Sequence, residues 1–535
     1  MCPNEDGTQL NVKNGNPVLD GILNGELPAA STIALIGAPG TGTSIMTTQY
    51  VVNALKKGKR VIYSLLDYVP GLAEKYFKSF GFNAQLFLAD KRLQMIDGYE
   101  FFLRSMGIAT MADIQNLRTI ELKEISQRLQ TGLMSLIRDN EKEPSSVVID
   151  SFTSLSPFVD VHSIYEILAE GFAMIRRGGH PALLVAHEGV LESNFVQALT
   201  RFVDGVIRLK MQWSARGLTR GLFIEKLRRT NVETPYVDFT ISDQGISLHY
   251  GGVQTSAGTS RSLTHVQTSQ AAIPSPSKYD RISTGIAALD PILEGGFPRG
   301  TFICAVGDVG TGTSTFCTQF AWSRLLAGGK VAYYCVDEPP DMVINQFRSY
   351  GWDIGPYVDS KDIVLSDVYN LFRTGRQASL RGADEADATR KLISEFMKAE
   401  IAKVESSPPR DSPLVAVVDS FTTMAPYLDL KTAYVLARIV ADNARASDET
   451  YLTVVRSGAF EANLLYACLG TADGIITLDS GWEREKSNPP AGRRLVRRMR
   501  IDKMAFTSTP SQAAEYEITS KGIQLISTSH PQNQR

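Results

Sequence analysis

Gly37-Ala38-Pro39-Gly40-Thr41-Gly42-Thr43-Ser44 follows the apolar run Ile33–Ile36, and the chain returns to it as Gly307-Asp308-Val309-Gly310-Thr311-Gly312-Thr313-Ser314. Both stretches fit the P-loop pattern G-x-x-x-x-G-K-[ST] except at its Lys. In that pattern a glycine-rich turn wraps nucleotide phosphates in backbone N–H groups at a helix N-terminus. The Lys reaches the β- and γ-phosphates and the Ser/Thr hydroxyl ligates Mg²⁺. Here Thr43 and Thr313 stand at the Lys position. Gly37, Gly40 and Gly42 are retained, as are Gly307, Gly310 and Gly312, with Thr41 and Thr311 between them, so a backbone cradle for phosphate survives. The lost charge is worth a few kcal/mol in a water-poor site, roughly 10²–10³ in rate. Nucleotide binding should suffer less than turnover.

The second loop lies 270 positions after the first, and the same offset pairs Leu19-Asp20 with Leu289-Asp290, Asp67 with Asp337, and Gly81-Phe82 with Gly351-Trp352. An offset of 269 then pairs Asp150-Ser151-Phe152-Thr153 with Asp419-Ser420-Phe421-Thr422, and Asp204-Gly205 with Asp473-Gly474. Past an insertion within Ser480–Arg493, which reads as a lengthened hairpin, an offset of 277 pairs Lys226 with Lys503 and Gly245-Ile246 with Gly522-Ile523. The chain is a tandem duplication. Each copy alternates short apolar strands with helix-length segments, which predicts an α/β fold of right-handed βαβ units around a mostly parallel sheet. Strands are expected at 32–36, 60–66, 146–149 and 182–186, with 203–210 and 221–227 as a late antiparallel pair, and helical inserts at 86–138 and 363–403. The first domain is expected at 1–250 and the second at 279–529, joined by a flexible Ser/Thr/Gln/Gly/Pro-rich linker at 251–278 and followed by a frayed tail at 530–535.

The 535 residues carry 55 basic and 57 acidic side chains, so there is no global pull toward nucleic acid or anionic membrane. The five cysteines are scattered with no zinc-ligand spacing, and read as buried reduced thiols. The start lacks the features of a signal peptide and no eighteen-residue apolar run occurs, so a cytoplasmic protein is expected.

Three further elements carry chemistry. Val147-Val148-Ile149-Asp150 and Ala416-Val417-Val418-Asp419 each end a buried strand in a carboxylate, as a Walker B strand does to orient Mg²⁺ beside the phosphates; with the loop hydroxyls, the candidate metal ligands are Ser44 and Asp150, Ser314 and Asp419. Asp67 follows the second strand of the first copy, and Asp337-Glu338 that of the second, where a carboxylate could polarise an attacking water or serve only as a turn residue. Lys226-Leu227-Arg228, matched by Lys503-Met504-Ala505, lies on a late strand from which basic groups could reach a neighbouring subunit's phosphates, or simply face solvent.

Taken together, the double P-loop, the Asp-Glu-Pro-Pro turn, Val-Val-Ile-Asp-Ser-Phe-Thr, Lys-Leu-Arg-Arg-Thr and Ile-Ser-Asp-Gln-Gly-Ile resemble the KaiC family of RecA-like ATPases, which stands beside the gas-vesicle regulator GvpD and archaeal recombinase paralogues. The resemblance spans both halves. It implies two tandem RecA-like domains, Mg²⁺ and ATP as cofactors at subunit interfaces, and a homo-oligomer that is a hexameric ring. In the family the paired acids activate water, which maps to Asp337 and Glu338, and the Lys-x-Arg strand contacts the neighbour's nucleotide, which maps to Lys226 and Arg228. The departures are both missing lysines, the single acid of copy one, and Ala505 where the second copy should have Arg. The phosphorylated Ser-Thr pair of the clock protein falls at about Leu469-Gly470, which excludes clock autokinase chemistry.

The first expectation is therefore an ATP-binding regulatory or scaffolding switch with weak or absent hydrolysis and a protein partner of its own. The alternatives are an active ATPase turning over mainly in the second domain, and a DNA-associated recombinase relative. The segments after the Walker B strands, 154–162 and 423–431, are apolar or acidic, which disfavours DNA. The run Arg493-Arg494-Leu495-Val496-Arg497-Arg498-Met499-Arg500 keeps nucleic acid open as a partner, against an interface strand or a solvated face.

Overall fold

The structure, a computed structural model, describes residues 17–28, 30–67, 70–97, 145–155, single positions between 165 and 177, 179–189, 193–214, 217–228, 236–242, 245–250, 280–370, 373, 414–424, 430–457, 462–484, 493–507 and 513–526. The expected linker, the tail, most of both helical inserts, and positions 156–162 and 425–429 lie outside the described residues.

The first copy builds one nine-stranded sheet from β1 (Thr32–Gly37), β2 (Arg60–Leu65), β3 (Leu93–Asp97), β4 (Ser145–Asp150), β5 (Ala182–His187), β6 (Gly205–Ser214), β7 (Gly217–Leu227), β8 (Val237–Ser242) and β9 (Gly245–His249). Its order is β3-β2-β4-β5-β1-β6-β7-β8-β9, parallel from β3 to β6 and antiparallel beyond. After a two-stranded ribbon of β10 (Arg281–Ile282) and β11 (Phe297–Pro298), the second copy repeats the sheet. Its strands are β12 (Phe302–Gly307), β13 (Lys330–Cys335), β14 (Ile363–Asp367), β15 (Leu414–Asp419), β16 (Thr450–Val455), β17 (Gly474–Arg484), β18 (Arg493–Met504), β19 (Ala514–Thr519) and β20 (Gly522–Leu525). The order is the same, β14-β13-β15-β16-β12-β17-β18-β19-β20.

The strand expectations for the parallel part hold to within a residue or two, except at the inserts, while the late hairpin, expected at 203–210 and 221–227, is longer and runs Gly205–Ser214 and Gly217–Leu227. Leu93–Asp97 and Ile363–Asp367, expected to be helical as parts of the inserts 86–138 and 363–403, are instead edge strands paired with β2 and β13. Five residues are too few to declare a period, and the neighbouring strand decides the pairing.

The central strands read as unbroken apolar runs because helices cover both faces; every residue of Thr32–Gly37 is buried. Each fully buried Ile, Leu or Val contributes about 1.5–3 kcal/mol. Two repeated motifs have a structural origin. Asp204 Oδ2 accepts from Thr32 N at 3.0 Å, and Asp473 Oδ2 accepts from Phe302 N at 3.1 Å, joining the start of the P-loop strand to its neighbour. The next residue must be Gly, since a Cβ at Gly205 or Gly474 would lie 2.5 or 2.6 Å from the Ile33 or Ile303 side chain. The last hairpin is likewise tied to the P-loop helix, with Ile246 N donating to Gln49 Oε1 and Ile523 N to Gln319 Oε1, each at 2.7 Å.

This topology brings the carboxyl ends of β1, β2, β4 and β5 to one side of the sheet. In open α/β sheets that is where ligands bind.

Candidate functional site

Both P-loops run from a buried strand into a helix, Thr43–Lys56 and Thr313–Leu326. The turns need glycine: φ is 88° at Gly40, 109° at Gly42, 86° at Gly310 and 90° at Gly312. A Cβ at Gly37 would lie 2.4 Å from Thr41 Oγ1, and one at Gly307 2.6 Å from Thr311 Oγ1, because those hydroxyls turn back to bond Ala38 O at 2.8 Å and Asp308 O at 2.7 Å. Thr43 and Thr313 are buried rather than aimed outward, and the Thr313 methyl packs against Gly307. The loops keep the shape of a phosphate cradle, and their own side chains bring no cation to it.

The Walker B acids end β4 and β15 beneath the loops. Asp150 accepts from Tyr63 OH at 3.0 Å. Asp419 accepts from Tyr333 OH and from Ser314 Oγ, both at 3.3 Å, so the two candidate metal ligands of the second copy meet. Burial, then the nearby Asp337 carboxylate, push the Asp419 carboxyl up to about 6. A divalent cation here would be held by Ser314 and Asp419, and it would supply positive charge that favours the ionised acid.

The acids after the second strand are tied to the same place. Val336 N and Asp337 N both donate to Asp419 O at 3.0 Å, and Leu66 N donates to Asp150 O at 2.6 Å. Asp337 then accepts from Ser420 Oγ at 3.0 Å, Thr423 Oγ1 and the Arg456 guanidinium. Glu338 beside it is exposed. In the first copy Asp67 meets His187 Nε2 at 3.3 Å. Burial raises the Asp67 carboxyl, but His187, Ser151 and the Arg438 charge outweigh it and hold the carboxyl below its usual range.

Sequence reasoning missed His187, which ends β5, and Arg456, which directly follows β16; they stand 269 positions apart. The repeated Asp-Ser-Phe-Thr motif pointed to them, because Thr153 Oγ1 accepts from His187 N at 2.6 Å and Thr422 Oγ1 from Arg456 N at 2.8 Å. Arg220 and Arg497 were also missed as a pair, at the offset of 277. Arg220 Nε donates to Gly40 O at 3.4 Å and Arg497 Nε to Gly310 O at 3.3 Å, so each loop has one guanidinium at its apex. Burial pulls the Arg220 guanidinium down to about 10 against the Asp502 carboxylate.

The Lys-x-Arg strands do not turn toward their own P-loops. Lys226 Nζ donates to Thr200 O at 2.6 Å and Val203 O at 2.8 Å, and Arg228 donates to Arg201 O at 2.9 Å, at the C-terminal end of helix Ser193–Phe202. Lys503 Nζ does the same to Ala472 O at 2.6 Å. Cations are favoured where helix carbonyls are left over. The basic run 493–500 lies along β18, and Arg494, Arg498 and Arg500 are paired with Glu515, Glu483 and Asp479.

The second domain sits on the first domain's loop. Trp213 Nε1 donates to Asp502 Oδ1 at 2.8 Å, the Arg500 guanidinium lies 5.3 Å from the Trp213 ring centre, and Tyr76 packs on Phe506 with ring centres 5.2 Å apart. A Cβ on Gly40 would lie 2.7 Å from Asp502 O. Tyr434 OH donates to Asp67 Oδ1 at 3.5 Å. A cavity of about 390 Å³ remains between Ala38, Pro39 and Thr41 on one side and Thr477 and Asp502 on the other. Among the described residues no group of three or more His, Cys, Asp or Glu side chains is placed to hold a metal, and no helix is long and apolar enough to cross a membrane.

Sequence comparisons agree with this architecture. A UPF0273 protein of Thermotoga maritima is 28% identical over 240 residues, 44% of this chain and 95% of the relative, which is thus about the length of one repeat. A UPF0273 protein of Pyrococcus furiosus is 28% identical over 241 residues, 44% of this chain and 93% of its own length. The protein named circadian clock protein KaiC2 of Synechocystis is 26% identical over 362 residues, 66% of this chain and 58% of that protein. The KaiC ATPase family model matches residues 12–252 and again 282–530. With two nine-stranded RecA-like sheets, each carrying a P-loop, and a family match over nearly its whole length, the chain belongs to the KaiC ATPase family.

Proposed function

We propose that the protein is an ATP-binding switch or scaffold that assembles into a hexameric ring, with weak or absent hydrolysis. One observation carries this reading: both P-loops keep their glycine geometry while buried threonines, Thr43 and Thr313, replace the Lys. Backbone N–H groups and a helix N-terminus suffice to bind phosphate, whereas transition-state charge needs a cation aimed at it. Ser314 and Asp419 would hold Mg²⁺ in the second domain, Ser44 and Asp150 in the first. The arginine run is largely matched by acids of its own sheet, which favours a structural role over nucleic-acid binding.

A second reading has its own support. In the second domain Ser314 touches Asp419 and Glu338 is exposed beside a fully engaged Asp337, so slow turnover would be located there. Mg-ATP binding and phosphate release measured on the wild type beside Ser314→Ala and Glu338→Gln separate the two. Binding without phosphate release supports the switch, and release abolished by Glu338→Gln supports the enzyme. Absence of binding overturns both.

A further inference from the structure

The two P-loops are built alike and stand in different surroundings. Asp308, Val309 and Gly310 at the crest of the second loop are all exposed, Val309 to 82%, and a Cβ at Gly310 would meet nothing within 4 Å. In the first loop Ala38 and Gly40 are half-buried and Pro39 is buried. The second domain covers this crest. A Cβ at Gly40 would lie 2.7 Å from Asp502 O and 3.6 Å from the Lys503 side chain. Around that contact Trp213 Nε1 donates to Asp502 Oδ1 at 2.8 Å, and Phe506 packs on the first domain's core beside Tyr76. Tyr434 OH donates to Asp67 Oδ1 at 3.5 Å, so the joint closes over the acid as well as over the loop.

The joint brings the first loop a group of the wrong sign for phosphate. The Asp502 carboxylate is held in place by Thr477 and Trp213 and stabilises the charge of Arg220, whose Nε donates to Gly40 O at 3.4 Å. An incoming phosphate would have to compete with Asp502 for that guanidinium. Arg497, the counterpart at the second crest, donates to Gly310 O at 3.3 Å and forms no ion pair among the described residues. The cavity left beside the first loop is no seat for a triphosphate either. Pro39, Leu469 and Ile475 wall it with the acids Glu188 and Asp502, and Lys210 is the only cation among its lining residues. Like charges brought together with this little compensation oppose binding.

We propose that the second domain is an autoinhibitory occupant of the first P-loop: while the joint is closed each chain takes Mg-ATP at the second domain alone, and nucleotide enters the first loop only when the domains part. The two events then oppose each other by linkage. Nucleotide bound to the first loop holds the joint open, and a closed joint weakens the apparent affinity by the fraction of chains that are open. An open fraction of about one in ten weakens it about tenfold. Parting the domains also releases Asp67 from Tyr434, so loop and acid become available together. The arrangement of the two domains is what nucleotide switches on this account. The inference rests on the nucleotide-binding reading and names the regulation of its first site.

The test uses the full chain. Titration calorimetry with Mg-ATP counts the sites, and amide hydrogen exchange with and without Mg-ATP locates them. Before nucleotide is added, segment 38–44 should exchange more slowly than segment 308–314. In the wild type one site per chain is expected, with Mg-ATP protecting the second loop and leaving the first unchanged. Trp213→Ala and Asp502→Asn loosen the joint from its two sides and should raise first-loop affinity about tenfold, bringing a second site into the titration. Unchanged circular dichroism and unchanged protection of the second loop show that these variants are folded. Protection of the first loop by Mg-ATP in the wild type, or equal exchange of the two loops without nucleotide, overturns the proposal and leaves the nucleotide-binding reading standing. A single site that stays single in both folded variants overturns it too. Absence of binding in every protein overturns the nucleotide-binding reading, and the autoinhibition with it.

Discussion

Arg456 donates from its guanidinium to the carboxylate of Asp337, which already accepts from Ser420 and Thr423. A carboxylate so occupied has most of its acceptor sites committed to these donors and little capacity left to orient a water. Glu338, next in the chain and exposed, is left as the acid free to face a water.

Substitution of these neighbours should therefore give opposite results. Glu338→Gln is expected to lower any phosphate release by roughly 10²–10⁴-fold with the melting temperature unchanged. Asp337→Asn leaves Arg456 without its counter-charge and should cost about 1–3 kcal/mol of stability. Phosphate release and thermal unfolding on both variants check this, and a turnover loss with Asp337→Asn but not Glu338→Gln would reverse the assignment.

Restoring the absent charge should restore affinity. Thr313→Lys puts an ammonium at the start of helix Thr313–Leu326, beside the open loop, and is expected to tighten Mg-ATP at least tenfold, about 1.4 kcal/mol. Titration calorimetry against the wild type is the measurement. Thr43→Lys should yield less, since the loop there is covered by Asp502.

The Asp419 carboxyl, raised by burial and then by Asp337 to about 6 from 3.8, sets a pH dependence. A carboxyl raised in the fold contributes stability that is fully present below 3.8 and is lost as pH rises through about 6. The loss is about 3 kcal/mol at most. Relative to Asp419→Asn, the metal-free wild type should weaken over that window in urea unfolding, and added Mg²⁺ should offset the loss above it. A difference that stays flat with pH would count against the burial of a charged acid.

Gly40 and Gly310 share a left-handed conformation but not surroundings. Gly310→Ala should cost about 1–2 kcal/mol, the backbone term alone. Gly40→Ala should cost more, because its methyl would lie 2.7 Å from Asp502 O and must displace the second domain. Equal losses in paired unfolding curves would mean that the domains part readily at that joint.

The sequence by itself determined the duplication, the alternating α/β plan, both P-loops with their missing lysines, and the Walker B acids. These are signals carried by a few adjacent residues: a buried strand needs an apolar run, and a phosphate turn needs glycine at set spacings. Tertiary structure alone decided which groups meet across long separations. Arg456 reaches Asp337 over 119 positions because the sheet order sets β16 beside β15 and β15 beside β13. Trp213 reaches Asp502 over 289 positions because two copies of one domain dock asymmetrically, filling one face and leaving its twin bare. A linear repeat shows that the faces are alike; only packing distinguishes the one that is covered.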